Sequence, residues 1–346
     1  MLGTNMNTHP LVSLCVVCYN HAKYVTFCLE SLWKQSYKDI EILILDDGST
    51  DNSAEMIRTL QAKSPCPIQF FAQSNSGKIG KNFNTLFRQA KGKYISLIAA
   101  DDALLPDAIS KKVSIMEQDA NVQFVINSHI QRIDEYHTPM GPVWKMNLDK
   151  IKHPTAQDTL NLEFNEMHSY YLQGSLFRKS VLQAVNYFDE DMTADDIILR
   201  TKLARFLLQN PLFTFHTLHE VACLYRAHAT NTSANLTRQL FSIGAYLDKY
   251  WPSAHVSRNF RDLVLNTFAN EKDRIALYEQ VSPIQSVRQV LSSISRQDIL
   301  GPQGVCYKRK KIAGVLEIVT YKNMGTQTKL IRLWGRTLYQ KISSYC

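Results

Sequence analysis

The chain has 346 residues, of which 45% are hydrophobic and 20% are charged, and this composition excludes a disordered or fibrous protein. No stretch approaches the roughly 20 apolar residues of a membrane-spanning helix. The formal charge of +8 is concentrated in residues 301–346, where nine Lys and Arg residues face one acid, while the rest of the chain carries thirty of each sign. This cationic end predicts an anionic partner surface, either membrane lipid or nucleic acid.

The seven cysteines are odd in number and share no repeated spacing. Cys15 and Cys18 form a C-x-x-C pair, but they lie in an apolar strand pattern, where residues three apart point to opposite faces of a sheet. We therefore expect free thiols in a reducing cytosol rather than a metal or redox site. The N-terminal residues contain neither the basic nor the apolar region of a signal peptide, which also predicts a cytoplasmic protein.

Apolar runs and helical spacings alternate along the first part of the chain. They predict strands at Leu11–Cys18, Ile40–Leu45, Ile68–Ala72 and Ile95–Ala100, and helices at Tyr24–Gln35, Ala54–Lys63 and Asn82–Ala90. This alternation predicts an α/β fold with a mostly parallel central sheet that helices cover on both faces. The dinucleotide fingerprint and the Walker phosphate loop are absent from the sequence, so phosphates would be held in another way, for which a metal ion is the obvious candidate.

Two adjacent carboxylates, Asp101 and Asp102, follow the strand Ile95–Ala100 and precede Pro106, which fits the first turn of a helix. The pair should therefore lie at the carboxyl end of a buried strand, where open α/β sheets bind ligands. Two such carboxylates repel each other unless a positive charge lies between them, and a divalent metal carrying a phosphate-bearing ligand would meet that need. The alternative is a polar loop in which Asp102 caps the next helix. These residues alone leave both interpretations open.

Beyond the acid pair, the sequence predicts more strands, a flap and a second acid pair. The strands are Val122–Asn127, Gln173–Arg178 and Leu218–Tyr225, and turn-rich Gln131–His153 would form a flap that touches substrate. Asp195 and Asp196 head a helix that runs to Leu208, where acids also gain from the helix dipole. From residue 236 helical patterns dominate, at Gln239–Tyr250, Asn259–Ala269, Arg274–Gln280 and Ser286–Ser295. We expect one domain over 1–235 and a helical C-terminal region over 236–346.

Several short motifs follow one another in a fixed order. They are V-S-L-C-V-V-C-Y-N at 12–20, D-D-G-S-T-D-N-S at 46–53, N-S-G at 75–77, K-N-F-N at 81–84, G-K-Y-I-S-L-I-A-A-D-D at 92–102, F-D-E at 188–190, D-D-x-x-L-x-x-K-L at 195–203 and Y-R-A-H at 225–228. Each motif is weak alone. The ordered set resembles the family 2 glycosyltransferases of the GT-A fold, the inverting bacterial sugar transferases of cell-surface polysaccharide assembly.

The resemblance implies a binding site for a UDP-sugar donor. Asp47 would accept a hydrogen bond from the uracil or the ribose. Val17 and Tyr19, at the end of the first strand, would line the base. Lys81 and Asn82 lie where the family contacts the nucleotide or the sugar.

The resemblance also implies the catalytic groups. Asp101 would lie near the ribose and the sugar, and Asp102 would bind the metal, Mn²⁺ or Mg²⁺. Asp196 matches the second acid of the family's Glu-Asp motif, which is the general base that accepts a proton from the acceptor hydroxyl. The alternative for Asp196 is an acid that only starts a helix. His228 would approach the diphosphate or the metal.

The sequence departs from the family pattern at three points. Many members read Asp-x-Asp-Asp at the metal site, whereas Ala99 stands here at the first acid. The family's Glu-Asp is Asp195-Asp196, which is one methylene shorter at its first position. The Gln-x-x-Arg-Trp motif and the membrane helices of processive synthases are absent from the sequence, which disfavours polymerisation.

The cationic tail suggests how such an enzyme would reach its acceptor. A helix over Lys329–Ile342 would place apolar side chains along one side with Lys and Arg around them, as in a helix that lies in a membrane surface. The apolar set is Leu330, Ile331, Trp334, Leu338 and Ile342. The alternative is a packed C-terminal helix with basic solvated edges. We expect a peripheral location at the inner face of the cytoplasmic membrane.

The predicted function is the transfer of one hexose, glucose or galactose, from a UDP-sugar to an undecaprenyl-diphosphate-linked sugar such as N-acetylglucosamine in lipopolysaccharide O-antigen assembly. Alternatives are capsule or exopolysaccharide synthesis and glycosylation of a protein. An alternative of another class is a catalytically silent subunit that binds sugar nucleotides, against which the retention of both acid pairs argues. No basic surface with interleaved aromatics supports a nucleic-acid partner.

Overall fold

The structure is a computed structural model that divides into two compact units, Met1–Ala234 and Asn235–Cys346. It describes residues 9–193, 195–228, 235–252, 255–271 and 273–293, without the side chain of Asp195, and the backbone of 306–312, 316–323, 326–333 and 336–344.

The first unit begins with the predicted alternation of strands and helices. The elements are β1 Val12–Cys18, α1 Val25–Trp33, β2 Ile40–Asp46, α2 Ser53–Lys63, β3 Ile68–Ala72, α3 Ile79–Gln89 and β4 Tyr94–Ala99. Every residue of β1 and β2 is buried, as expected for central parallel strands covered on both faces. The strands run in the order β3-β2-β1-β4, all parallel, so their carboxyl ends meet at one edge.

The second half of this unit extends the sheet with strands of both directions. The elements are β5 Ala103–Leu104, α4 Ala108–Gln118, β6 Val122–Ile133, β7 Trp144–Lys145, a 3₁₀-helix Asn147–Lys150, α5 Ala156–Asn165, β8 Tyr171–Arg178, α6 Lys179–Ala184, α7 Asp195–Gln209 and β9 Thr214–Arg226. The strand order continues from β4 as β8-β6-β9-β5, with β7 on β6. The predicted α/β fold class is confirmed, and the sheet is mixed beyond β4 because β8 runs antiparallel to both β4 and β6.

Two hydrophobic layers cover opposite faces of this sheet. One layer combines side chains of α1, α2 and α4, and the other combines α3, α6 and α7. Cys15 belongs to the second layer and Cys18 to the first, so the C-x-x-C pair is split across the sheet as predicted. Helix α5 was not predicted, although Thr155 and Asp158 form a complete capping box at its start.

Among the residues that the structure describes, the second unit contains four helices and an antiparallel sheet. The helices are α8 Leu236–Tyr250, α9 Arg258–Asn270, α10 Arg274–Val281 and α11 Gln285–Ser292, close to the predicted bounds. The strands are β10 Cys306–Ile312, β11 Leu316–Asn323, β12 Thr326–Leu333 and β13 Arg336–Ser344, paired in chain order. Within the described residues, no helix is both long and apolar enough to cross a bilayer.

The predicted helix over Lys329–Ile342 is wrong, because this segment lies in β12 and β13. Leu330 is opposite Val319 and Ile331 is opposite Ile318, so these two neighbours alternate across a sheet instead of sharing a helix face. The apolar spacing fitted a helix, but the segment is also rich in residues that favour strands, and the neighbouring strands pair its backbone groups. Trp334 lies outside the described residues.

Candidate active site

The D-D-G-S-T-D-N-S motif after β2 holds the loop that follows β1. Asp46 accepts hydrogen bonds from the backbone N–H and the hydroxyl of Ser49, at 2.9 and 2.5 Å. Ser49 in turn accepts a hydrogen bond from the N–H of Asn20, which has a left-handed backbone with φ of 55°. The N–H of His21 donates to the hydroxyl of Ser53 at 2.9 Å. Two chain segments that are distant in sequence thereby fix the position of His21 at the carboxyl edge of the sheet.

The turn after β4 carries the first acid pair, and the two carboxylates face different partners. Asp101 Oδ2 lies 2.9 Å from Nε2 of His228 and 3.7 Å from Nε2 of His21. Asp102 accepts hydrogen bonds from the Tyr171 hydroxyl at 2.8 Å and from the N–H of Arg226 at 2.9 Å. Neither carboxylate caps helix α4, whose cap position is Asp107.

The pKa values of the two carboxylates are shifted in opposite directions. Burial alone would raise the pKa of Asp101, but the hydrogen bond from His228 and the neighbouring His21 hold that pKa below its usual value. Burial, followed by the charge of Asp101, raises the pKa of Asp102 well above its usual value. The surroundings therefore favour the negative charge on Asp101 over the negative charge on Asp102.

His21, Asp101 and His228 form a set of donor atoms that fits a divalent metal. One potential ligand atom from each lies within 4.8 Å of the others. Nδ1 of His21 is buried without a hydrogen-bond partner among the described residues, so this ring is not committed elsewhere. Two imidazoles with one carboxylate suit Mn²⁺ and the later transition metals better than Mg²⁺, which prefers oxygen ligands. Asp102 keeps free lone pairs beside its two hydrogen bonds, and its predicted role as a metal ligand stays a prediction.

Arg226 lies beneath the acid pair and has no exposed surface. Its Nε donates to the backbone oxygen of Asp101 at 2.8 Å, in addition to the bond from its N–H to Asp102. The guanidinium also lies 4.7 Å from the ring centre of Tyr24 and donates to the backbone oxygen of Asp134 at 2.5 Å. These contacts fix the turn that presents Asp101, and they explain the arginine of the Y-R-A-H motif, which sequence reasoning left without a role.

On the other side of β1, a neutral network surrounds Asp47 and Asn82. Gln73 donates to Asp47 at 2.7 Å and to Asn82 at 2.8 Å. The hydroxyl of Ser76 also bonds to both, at 3.1 and 3.0 Å. The turn at Gly48 makes this possible, because its φ is +73° and a Cβ there would lie 2.5 Å from a backbone nitrogen. The structure therefore brings two of the predicted donor residues together.

The other predicted donor residues lie on β1, on the loop after it and on α3. Val17 is buried at the end of β1, opposite Leu45 and Ala99. Tyr19 follows it on the loop and is 44% exposed, so its ring is open to a ligand. Lys81 is exposed on α3, one residue before Asn82.

The second acid, Asp196, lies in the first turn of α7 beside a buried ion pair. Arg200 makes two bonds to Glu163, at 2.7 and 3.1 Å, and its third nitrogen lies 3.7 Å from Asp196. Burial raises the pKa of Asp196 above its usual value, the charge of Arg200 opposes this, and Glu163 adds to it. A carboxylate with a raised pKa and 35% side-chain exposure is suited to accept a proton from a ligand.

Two consecutive tyrosines lie beside the two acid groups, one at each. The Tyr171 hydroxyl donates to Asp102. The ring centre of Tyr170 lies 5.7 Å from the Arg200 guanidinium, and burial raises the pKa of Tyr170, to which the charge of Asp196 also contributes. Tyr170 and Tyr171 pack in the two different hydrophobic layers, so each acid group has its own tyrosine neighbour, and the predicted sharing of one site by Asp102 and Asp196 stays a prediction.

Asn84 attaches the segment before α7 to α3. Its side chain donates to the backbone oxygen of Phe188 at 2.9 Å and accepts from the Phe188 N–H at 3.0 Å. Glu190 then pairs with Arg88 at 2.7 Å. The K-N-F-N and F-D-E motifs are thus explained as a clamp that positions the helix carrying Asp196.

Comparisons with known proteins agree with this geometry. The family model described as Glycosyl transferase family 2 matches residues 13–185, which is half of the chain. An uncharacterized glycosyltransferase of Nostoc sp. is 37% identical over 228 residues, 64% of this chain and 66% of that protein. Chondroitin synthase of Escherichia coli is 36% identical over 125 residues, and hyaluronan synthase of Pasteurella multocida 38% over 106 residues. These matches cover 36% and 31% of this chain, but only 18% and 11% of the two synthases.

Solved structures share the fold. Staphylococcus aureus TarS 1–349 in complex with UDP-GlcNAc superposes with a TM-score of 0.52 at 15% identity, covering 90% of this chain and 96% of that one. Mannosyltransferase PcManGT from Pyrobaculum calidifontis, in complex with GDP-Man and Mn²⁺, gives 0.53 at 17% identity, covering 83% and 80%. Since the family model spans half of the chain and the fold agrees, this chain belongs to glycosyl transferase family 2.

Proposed function

We propose that this family 2 glycosyltransferase moves a single hexose from a UDP-sugar to a lipid-linked saccharide with inversion at the anomeric carbon. The observation that carries the proposal is the position of Asp101 between two imidazoles at the carboxyl end of β4, and the raised pKa of Asp196 supports it. The two groups suit different tasks in an in-line displacement, one on the leaving group and one on the attacking hydroxyl.

The leaving-group side would consist of His21, Asp101 and His228. A bound Mn²⁺ or Mg²⁺ would supply positive charge to the departing diphosphate. His21 and Asp101 are held by the contacts of Asn20 and Arg226, so the protein presents the site without rearrangement. A solved mannosyltransferase of the same fold is in complex with GDP-Man and Mn²⁺, which supports a role for a divalent metal in the proposed transfer. Asp102 is proposed as an additional ligand, or as the group that keeps Asp101 oriented.

The acceptor side would use Asp196. The acceptor hydroxyl attacks the anomeric carbon, the bond to the diphosphate breaks with its electron pair on the diphosphate oxygen, and Asp196 takes the hydroxyl proton. Its raised pKa makes this carboxylate a stronger base than an ordinary aspartate. Asp47, Asn82, Val17, Tyr19 and Lys81 would bind the nucleotide and the sugar of the donor.

The proposed acceptor is an undecaprenyl-diphosphate-linked sugar in O-antigen assembly, with glucose or galactose as the transferred hexose. A lipid-linked acceptor would require a peripheral position at the inner face of the cytoplasmic membrane. The net charge of +8 over 301–346 supports attraction to anionic lipid, although the strands there replace the expected helix. A nucleic-acid partner is not proposed.

A second candidate is a step in capsule or exopolysaccharide synthesis. The specific observation in its favour is the identity of 36% and 38% to synthases named for chondroitin and hyaluronan, which are both polysaccharides. The short matched share of those proteins favours one transfer activity over a complete polymerase.

A donor screen tests the proposal. The purified chain is mixed with Mn²⁺, a synthetic N-acetylglucosamine-diphosphate-lipid and each UDP-hexose in turn, and the product is identified by mass. We expect one added hexose with one preferred donor. Absence of both product and UDP release with every donor would contradict the proposal, and transfer only to a longer glycan would favour the second candidate.

A further inference from the structure

A tryptophan stands partly open on the two-residue strand β7, within the predicted flap. Trp144 is 42% exposed, and its near neighbours Met140 and Val143 are exposed as well. Exposed apolar side chains that cluster in this way usually mark a binding surface. Nothing in the proposed transfer step uses Trp144.

The Trp144 ring is held in place by its neighbours. The Arg132 guanidinium lies 4.4 Å from the ring centre, and the Tyr225 ring lies 6.5 Å away at an interplanar angle of 27°. The backbone beneath is paired as well, because Trp144 is opposite Ile130 on β6 and the N–H of Met140 donates to the oxygen of Arg132 at 2.8 Å. The ring therefore needs little ordering before it binds a ligand.

An aromatic path leads from this ring to the acid pair. Tyr225 packs edge-on against Tyr171 with ring centres 5.6 Å apart, and the Tyr171 hydroxyl donates to Asp102. Trp144 is thus two ring-to-ring steps from the acid pair, which is too far to touch the reacting hydroxyl. Its position corresponds to a more distant part of the acceptor.

We propose that Trp144, supported by Arg132 and Tyr225, is a stacking platform for a second sugar ring of the acceptor. This inference rests on the proposed function, since it assumes a saccharide acceptor. A pyranose ring presents a face of C–H groups that packs on an aromatic ring, while its hydroxyls remain at the edge and reach polar groups and water. A platform of this kind selects acceptors longer than a monosaccharide.

The test compares acceptor lengths in three variants. Transfer from the preferred UDP-hexose is measured with methyl glycosides of glucose, galactose and N-acetylglucosamine and with cellobiose, lactose and diacetylchitobiose. We expect the wild type to show a lower KM for at least one disaccharide than for its monosaccharide. Trp144→Ala should raise that disaccharide KM about tenfold, with kcat changed less than threefold, and should leave no advantage for the disaccharide. Trp144→Phe should keep most of the advantage.

Tyr136→Ala is the matched control, because Tyr136 is an aromatic residue of the same segment that is 76% exposed and lies outside the aromatic path. It should retain the disaccharide preference. An unchanged disaccharide KM in Trp144→Ala, or an equal loss in Tyr136→Ala, would overturn the platform.

A binding measurement separates failure of the platform from failure of the proposed function. If the wild type released no UDP from any donor, the transferase proposal would fail, and the indole N–H signal of Trp144 would still report on the platform. That signal is identified among the four tryptophans by its absence from Trp144→Phe. A shift on adding one of the three disaccharides supports the platform, and no shift with any of them overturns it.

Discussion

The turn after β4 and the start of α7 both carry two adjacent aspartates, yet the structure gives them different properties. Asp101 lies between two imidazoles above a buried arginine and has a lowered pKa. Asp196 lies in the first turn of a helix, is one-third exposed and has a raised pKa. Two adjacent aspartates therefore give a lowered carboxyl pKa at Asp101 and a raised one at Asp196, because the surroundings set the pKa of each.

The largest effect is expected from Asp101→Asn, which removes the fixed charge. Transfer should fall about 1,000-fold or more, because charge stabilisation at the leaving group contributes several kcal/mol to the barrier. Product formation from the UDP-hexose is measured by mass, with Asp107→Asn as the control, since Asp107 is an exposed acid close to the same turn. Transfer within tenfold of the wild type would contradict the role of Asp101.

Asp196→Asn is expected to reduce transfer by about 100- to 10,000-fold, which is the usual contribution of a general base. UDP-sugar binding, measured by calorimetry, should remain, because the proposed role of Asp196 is toward the acceptor and not the donor. Near-normal transfer by this variant would leave Asp196 as an acid that only starts a helix.

The comparison also predicts a pH dependence. A base must be ionised, so kcat/KM should fall tenfold per pH unit below the pKa of Asp196, and this limb should lie above the ordinary aspartate value of 3.8. Arg200→Lys keeps the positive charge near Asp196 but loses the two hydrogen bonds to Glu163. If the charge sets the pKa of Asp196, the acidic limb of the pH profile should stay at the wild-type pH in this variant. A wild-type profile that is flat down to the ordinary aspartate value would contradict the raised pKa.

The ion pair beside Asp196 should matter for stability. Arg200→Met leaves Glu163 buried without its partner, which costs about 3–5 kcal/mol of unfolding free energy. The double variant Glu163→Leu/Arg200→Met should recover most of this loss, because the uncompensated charge is gone. Urea unfolding measures both, and equal losses in the single and double variants would show that packing, not charge, is responsible.

The smallest effect is expected in the neutral network on the donor side. Gln73→Ala removes one hydrogen bond to Asp47 and one to Asn82, while Ser76 still donates to both, so we expect a net loss of about 0.7–1.4 kcal/mol in donor binding and a donor KM that rises about three- to tenfold. Gln69→Ala is the control, because Gln69 lies on β3, which ends just before Gln73. A change in kcat alone, with an unchanged donor KM, would show that this network acts in catalysis and not in donor binding.

Much of this site could be predicted from the sequence, because strand ends and motif order are local signals. The placement of Asp101 at the carboxyl end of β4 and of Asp196 at the start of α7 follows from apolar runs that stop at acids. His21 follows β1 in the same way, and the rule that parallel strands end at one edge of the sheet would have placed it in the site.

The remaining features depend on contacts that no local pattern encodes. Which of Asp101 and Asp102 faces the imidazoles is decided by Tyr171 and Arg226, from β8 and β9. The helix predicted over Lys329–Ile342 was wrong because the apolar spacing there fits a helix, whereas the segment pairs with antiparallel neighbours as β12 and β13. Long-range pairing overrode the local period there.

Mn²⁺ binding in the presence of UDP tests the division of roles most directly. The titration is followed by electron paramagnetic resonance in the wild type, Asp101→Asn and Asp196→Asn. We predict tight binding with nitrogen coupling from the two imidazoles in the wild type and in Asp196→Asn, and a loss of at least 100-fold in affinity in Asp101→Asn, since that variant removes the charged ligand. Equal Mn²⁺ affinity in all three proteins, or a loss only in Asp196→Asn, would contradict the account.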